Sequence, residues 1–240
     1  MSTAAILTIG NELVSGDVTN TNGSWLAKRL EGLGVSVTLI AALPDEVERI
    51  AEFVRAEGSR VDHLLVTGGL GGTPDDLTRE AIAAAFGVEQ AEQADVAERL
   101  RSRFARDPEY AARWARLPAG SRALENPLGG APGFLIGNVY VFPGLPREME
   151  AMFETVAGEL LTESPIVNWR RTYRTAESRI VGVLEAIGEQ HPQVLVGSYP
   201  AFGPGGSEVE VVVKSSDPAV LAAAVAWIEA ALDAALRDTS

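Results

Sequence analysis

The sequence predicts an α/β fold: a parallel sheet with helices on both faces over residues 1–165, then a small α+β domain over residues 166–240. Three observations predict it. Short apolar runs alternate with longer segments whose apolar residues recur at helical spacing, the pattern of right-handed βαβ units. A glycine-dense stretch, Thr67-Gly68-Gly69-Leu70-Gly71-Gly72-Thr73-Pro74-Asp75-Asp76, follows one apolar run and precedes a helix-like segment, the layout of an anion cradle. After Ser164-Pro165 the order changes to β-α-β-β-α.

The elements follow in turn. Ala4 to Ile9 reads as a buried strand ended by Gly10-Asn11-Glu12, and a polar loop runs on to Asn22. Asn20, Thr21 or Asn22 can cap a helix from Gly23 to Leu33, which Gly34 closes. Val35 to Ala41 is a second strand, and Pro44-Asp45-Glu46 opens a helix with Val47, Ile50, Ala51 and Val54 in register. Asp62 to Thr67 is the third strand and delivers the glycine stretch, with a helix from Asp75 to Phe86 beyond it. Helices from Gln93 to Arg106 and Pro108 to Leu117 form a charged excursion from the sheet, with Val96, Leu100 and Phe104 as an apolar stripe. Phe134-Leu135-Ile136, Gly137-Asn138 and Val139-Tyr140-Val141-Phe142 spell a hairpin, because Gly-Asn suits the two-residue turn that twisted strands prefer. A helix from Arg147 to about Leu161 follows, with Pro146 suited to its first turn and Glu148 placed to complement its dipole. In the second domain, Val167 to Thr175, Val194 to Tyr199 and Glu208 to Lys214 are strands, and Pro200 to Gly206 joins the last two. Glu177 to Gln190 and Asp217 to Leu236 are its helices.

Composition narrows the function. The chain has 46% hydrophobic residues and no cysteine, so disulfides, thiolate nucleophiles and thiolate metal sites are excluded. The formal net charge of −13 argues against a nucleic-acid partner. The loop from Ala201 to Gly206, with its Gly205-Gly206 pair, carries no basic residue to clamp a phosphate backbone. No basic leader precedes the first strand, and no apolar run reads as a bilayer span, so the expectation is a cytoplasmic protein without a membrane partner.

In an open parallel sheet, ligands bind beyond the carboxyl ends of the strands. The carboxylates expected there are Glu12, Asp17, Asp45, Asp75 and Asp76. His63 lies in a strand and His191 in the second domain, so Ser/His/Asp catalysis and a histidine-rich zinc site are both disfavoured. Oxygen ligation remains: carboxylates suit a divalent ion of the magnesium, manganese or cobalt class, held together with a substrate phosphate. The glycine stretch carries no lysine and is not a P-loop, and Pro74 breaks a dinucleotide fingerprint starting at Gly69. Of the two adjacent aspartates, Asp75 is expected to cap the helix and Asp76 to do chemistry.

These residues carry a resemblance. Thr8-Ile9-Gly10-Asn11-Glu12-Leu13 with Ser15-Gly16 and Asn20-Thr21-Asn22, then Thr67 to Thr78, then Asn126 with Ala131-Pro132-Gly133-Phe134, then Pro143-Gly144-Leu145-Pro146-Arg147-Glu148-Met149 occur in order within residues 4–160. They resemble the signatures of the molybdopterin-binding-like domain of the competence/damage-inducible protein A (CinA) family. Residues 167–236, with Gly197-Ser198-Tyr199-Pro200, resemble its small KH-like domain. The amidohydrolase domain fused downstream in many members has no counterpart in this sequence. The resemblance implies a doubly wound, mostly parallel sheet, self-association, and a small-molecule nucleotide or pterin phosphate as partner. It implies either metal-dependent hydrolysis of ADP-ribose or a related nucleotide pyrophosphate, or binding of molybdopterin or a nucleotide without hydrolysis. On that analogy Glu12, Asp45 and Asp76 hold the cation or orient the attacking water. Gly10, Asn11 and the stretch Thr67, Gly68, Gly69, Gly71, Gly72 and Thr73 surround the phosphate, with Gly130, Ala131, Pro132 and Gly133 beside it. Asn20, Asn22 and Asn126 read sugar or base, in competition with capping and turn formation. Gly72 stands where the family commonly has proline and Gly130 where it has threonine. Both are expected to loosen their loops, and Gly130 to remove a hydroxyl contact to phosphate.

Overall fold

The computed structural model describes residues 2–162, 166–203 and 206–237. Ser164, Pro165 and Gly205, on which the expected domain boundary and the glycine pair rest, lie outside the described residues. The chain divides into two compact units, Met1–Thr162 and Glu163–Ser240.

The first unit opens with β1 (Thr3–Ile9), α1 (Asn11–Ser15), α2 (Thr21–Gly32), β2 (Ser36–Leu43), α3 (Val47–Gly58) and β3 (His63–Thr67). It continues with α4 (Thr78–Phe86), β4 (Gln90–Glu92), α5 (Ala94–Arg103), α6 (Pro108–Ala112), β5 (Arg116–Pro118) and β6 (Arg122–Leu124). β7 (Gly133–Ile136), β8 (Val139–Phe142) and α7 (Pro146–Leu160) complete it. Among the described residues the main sheet runs β2-β1-β3-β8-β7-β6, parallel from β2 to β8 and antiparallel at β7 and β6.

Successive side chains of a strand point to opposite faces, and here both faces are apolar. Ala5, Leu7, Leu64, Val66, Val139 and Val141 pack with Ile50 and Val54 of α3 and Ile82 of α4. Ala4, Ile6, Leu65, Tyr140 and Phe142 pack with Leu26 and Leu30 of α2 and with Met152 and Phe153 of α7. That is the doubly wound arrangement. From β1 the chain passes one way to β2 and then back across to β3, so the switch point lies between β1 and β3, where such sheets open a crevice for ligand.

Several local expectations are corrected. The polar stretch after Gly10 contains a short helix, α1, closed by Gly16 at φ 84° in the left-handed region. The helix after the glycine loop begins at Thr78 rather than Asp75: a turn closed by the Asp76 N–H on the Thr73 carbonyl (3.1 Å) precedes it. Asp75 is exposed and caps nothing, since α4 has no side-chain cap. Leu117 belongs not to a helix but to β5, which pairs with β4 in a small ribbon. That pairing joins distant residues, so no local periodicity signals it. The excursion does have its own small core, built from Val96, Ala97, Leu100, Ala111, Ala112 and Ala115.

The second unit has β9 (Val167–Tyr173), α8 (Val181–Gln190), β10 (Leu195–Gly203), β11 (Gly206–Ser215) and α9 (Pro218–Arg237), with sheet order β10-β11-β9, all antiparallel. The segment expected to join the last two strands is mostly ladder: Pro200 pairs with Val209 and Phe202 with Ser207. Proline is tolerated because β10 is an edge strand. α9, with 20 residues, is long and apolar enough by length and composition to cross a bilayer, contrary to the expectation that no run is. It buries Ala224, Ile228 and Leu232 against Val209, Val211 and Val213 of β11.

Candidate functional site

Gly68 and Gly69 take φ of 110° and 62°, which only glycine adopts without strain. A Cβ at Gly68 would strike the Ile9 carbonyl, and one at Gly69 the Thr78 hydroxyl. The loop is then held from beneath by α4. Thr78 donates its Oγ1 proton to the Gly68 carbonyl (2.8 Å), and its N–H reaches the Gly69 carbonyl (3.3 Å). The buried Arg79 donates to the Leu70 and Gly71 carbonyls, each at 2.7 Å. Burial pulls the Arg79 guanidinium below its ordinary value, and the nearby Asp76 pushes it back.

A planar peptide sets its C=O and the following N–H in opposite directions. With the carbonyls of residues 68–71 held toward α4, the N–H groups of Gly69, Leu70 and Gly72 face the other way and have no partner among the described residues. The remaining donors of the expected cradle are already engaged. The Gly68 N–H goes to the Phe142 carbonyl (3.1 Å), and the N–H groups of Gly71 (2.7 Å) and Thr73 (2.8 Å) go to the Asp76 carboxylate. Asp76 also accepts from the Thr73 hydroxyl at 2.5 Å. Asp76 is therefore a brace that shapes the loop while lining the cleft in front of it.

That cleft, of about 400 Å³, gathers Glu12, Gly68, Gly69, Gly71 and Asp76 with Gly130 and Ala131. A smaller pocket of about 100 Å³ shares Glu12 and Gly68 and adds Asn20, Asn22 and Thr67. In it, Asn20 caps α2 by accepting from the Gly23 N–H (2.9 Å) and donates to Thr8 Oγ1 (2.9 Å), so Thr21 and Asn22 are not the cap. Asn22 donates to Thr67 Oγ1 (3.2 Å) and to the Gly144 carbonyl (2.8 Å). Thr67 spends its own proton on the Pro143 carbonyl (2.8 Å), so the Asn22 amide must face this way, leaving its buried Oδ1 without a partner among the described residues.

Other expected residues sit elsewhere. Asn11 and Asp45 bind each other, the Asn11 N–H to Asp45 Oδ2 at 3.0 Å and the Asp45 N–H to Asn11 Oδ1 at 3.4 Å, tying α1 to the end of β2. The Gly10 N–H bonds the Leu43 carbonyl (3.1 Å). Gly133 is demanded by packing, since a Cβ there would strike the Val141 carbonyl. Asn126 and Pro132 line another hollow, of about 720 Å³ beside α5, which shares Gly130 with the cleft. A Cβ at Gly72 would lie 2.5 Å from the Tyr110 hydroxyl, and one at Gly130 2.6 Å from the Glu148 carboxylate, so each glycine admits a neighbouring side chain.

The carboxylates do not make a metal cage. Among the described residues no group of three His, Cys, Asp or Glu side chains is placed to hold an ion. Asp76 spends both oxygens on its loop, and Asp45 faces Asn11. Burial raises the Asp45 carboxyl above the ordinary range, the Asn11 N–H opposes this, and the charges of Glu12, Asp75 and Asp76 add to the rise. Burial also holds the His63 imidazole below its usual value, in keeping with a structural strand histidine.

Sequence reasoning missed Arg79, Trp114 and Glu148. A basic residue in the first turn of a helix opposes the dipole, and that was a legible sign that Arg79 has another task. Glu148 read as a dipole partner at the start of α7, and Trp114 lay within a stretch whose charges dominate.

Residues 5–163 match the probable molybdopterin binding domain family, and residues 172–239 match the middle domain of FAD synthase. A protein of Archaeoglobus fulgidus is 40% identical over 203 residues, covering 82% of this chain and 86% of that one. A CinA-like protein of Frankia casuarinae is 36% identical over 253 residues; the match covers 97% of this chain but only 58% of that longer protein. The solved structure of the protein CinA, of unknown function, from Thermoplasma acidophilum superposes with a TM-score of 0.63 at 29% identity, over 67% of this chain and 99% of that one. On these matches and this architecture, the chain belongs to the probable molybdopterin binding domain family and, within it, to the CinA-like proteins.

Proposed function

We propose that the cleft at the switch point binds a phosphorylated pterin or nucleotide without turning it over. The observation that carries this reading is the set of outward N–H groups at Gly69, Leu70 and Gly72, fixed by Thr78 and Arg79 before any ligand arrives. Donors whose directions are fixed in advance favour an anion without reorganisation on binding. The buried guanidinium behind the loop offsets part of the charge of Asp76. Family membership supports the same ligand class. The test is calorimetric titration with ADP-ribose, beside an assay for AMP release with and without magnesium, manganese or cobalt. Heat of binding without AMP is the expected result. No heat with any of these present would sink the reading.

One observation favours hydrolysis as a second reading. Asp45, held to Asn11 outside the residues that line the cleft, has a carboxyl raised by burial and by the charges of Glu12, Asp75 and Asp76, the direction a general base or acid requires. Metal-dependent AMP release that Asp45→Asn abolishes would establish it. Glu12, Asp45 and Asp76 do not form a protein cage, so on this reading a cation enters with the substrate phosphates and keeps most of its water, as magnesium commonly does.

A further inference from the structure

An unpaired strand edge is a template for another strand, and proteins commonly guard it with charge, brevity or a bulge. Among the described residues most edges are guarded. β6 has three residues and carries Arg122, and β4 and β5 are equally short, with Glu92 and Arg116. β2 shifts register against β1 between Ala4 and Ala5. β9 carries Arg170 and Arg171. β10 differs. It is an edge of nine residues, Leu195–Gly203, pairs with β11 without a register shift and has no charged side chain. No Asp, Glu, Lys or Arg occurs from His191 to Ser207, in a chain whose net charge is −13. Three large apolar side chains stand out from this strand: Leu195 is 68% exposed, Tyr199 56% and Phe202 84%.

The charge selects the partner. Two copies of so acidic a chain repel wherever their carboxylates face each other, and along β10 none do. An antiparallel pair about a two-fold axis sets this strand against itself without opposing like charges. Pro200 has no N–H to give, so an axis through Pro200 is the poorest choice. An axis at Tyr199, the middle residue, pairs all nine positions. It sets Tyr199 against its own copy, Pro200 against Ser198, and Phe202 against Val196, which packs at the rim of the second unit's core. We propose that β10 pairs antiparallel with β10 of a second copy in this register, so that two three-stranded sheets become one of six strands. The tyrosines, phenylalanines and leucines covered on both copies, with the backbone between them, amount to on the order of 1,000 Å², about what a specific interface needs.

The experiment is sedimentation equilibrium on the full chain at about 100 μM, above the micromolar Kd of a modest interface. A mass of twice 25.4 kDa is expected. Tyr199→Lys sets like charges against each other on the axis and is expected to weaken the dimer by about tenfold or more, with circular dichroism unchanged because Tyr199 is exposed. The chain has no cysteine, so single cysteine substitutions report neighbours without background. Opposed residues of an antiparallel pair have Cα atoms about 4.5–5.5 Å apart, within disulfide reach. Tyr199→Cys is therefore expected to give a covalent dimer under mild oxidation. Ala201→Cys, displaced about 13 Å from its own copy in this register, is expected to give none. A monomer at this concentration, a dimer that survives Tyr199→Lys, or cross-linking of Ala201→Cys equal to that of Tyr199→Cys overturns the proposal. A dimer in which neither variant cross-links meets at another surface and overturns it too.

Discussion

Gly68 shows how a single residue can set the geometry of the cleft. Its φ of 110° and the Ile9 carbonyl beside its missing Cβ leave no room for alanine. Gly68→Ala is expected to destabilise the fold by more than about 1 kcal/mol, the usual scale of an incompatible backbone site, and to abolish binding at the loop. Denaturant titration with calorimetry checks both effects. Asp45 supports a prediction about pH. Its folded-state carboxyl is raised, first by burial, so protonation favours the folded state. The stabilisation is fully present below the unfolded carboxylate value and is lost as pH rises through the raised one. Asp45→Asn stays neutral and keeps an acceptor for the Asn11 N–H, so it escapes that loss. Relative to wild type, its denaturation midpoint is expected to rise at pH 7 and to stay level at pH 3. An equal offset at both pH values would refute the assignment.

At the scale of elements, α4 is the support on which the loop rests, and Arg79 is its main contact. Arg79→Met fills similar space but leaves the Leu70 and Gly71 carbonyls without their donors. Two lost charged hydrogen bonds suggest a cost of about 3 kcal/mol, with weaker ligand binding because the outward N–H groups lose their fixed direction. A thermal melt and a pyrophosphate titration of this variant measure the two effects together. Elements were legible in the sequence wherever local pattern decides them. The strands at Ala4–Ile9 and Asp62–Thr67, the Gly137-Asn138 hairpin with Gly137 at φ 58°, and the helix opened by Pro146 all stand where periodicity and turn chemistry put them. What pattern could not give was anything decided by distant partners. The β4–β5 ribbon, the ladder through Pro200, the diversion of Asp76 to its own loop and the contacts of Tyr110 and Glu148 at absent side chains all depend on tertiary approach. The glycine loop was visible as a cradle, but which N–H groups it offers followed only from where its carbonyls point.

The whole molecule raises the question of what the cleft needs from the chain beyond its own unit. Each unit has its own apolar core: the sheet's two faces and the excursion in the first, and β9, β11, α8 and α9 in the second. Every residue placed in the cleft, from Ile9 to Glu148, lies in the first unit. A solved CinA chain matches 67% of this chain over 99% of its own length, a span of about the first unit's size. A chain ended at residue 162 is large enough to bury most of the apolar surface that its unfolded form exposes. It is therefore expected to unfold in one cooperative transition and to bind pyrophosphate within about twofold of the full chain, since the loop and its supports are retained. Circular dichroism and calorimetry on the two chains decide the matter. If the shorter chain folds but loses binding by tenfold or more, the second unit contributes to the site and the cleft as drawn from the first unit alone is incomplete.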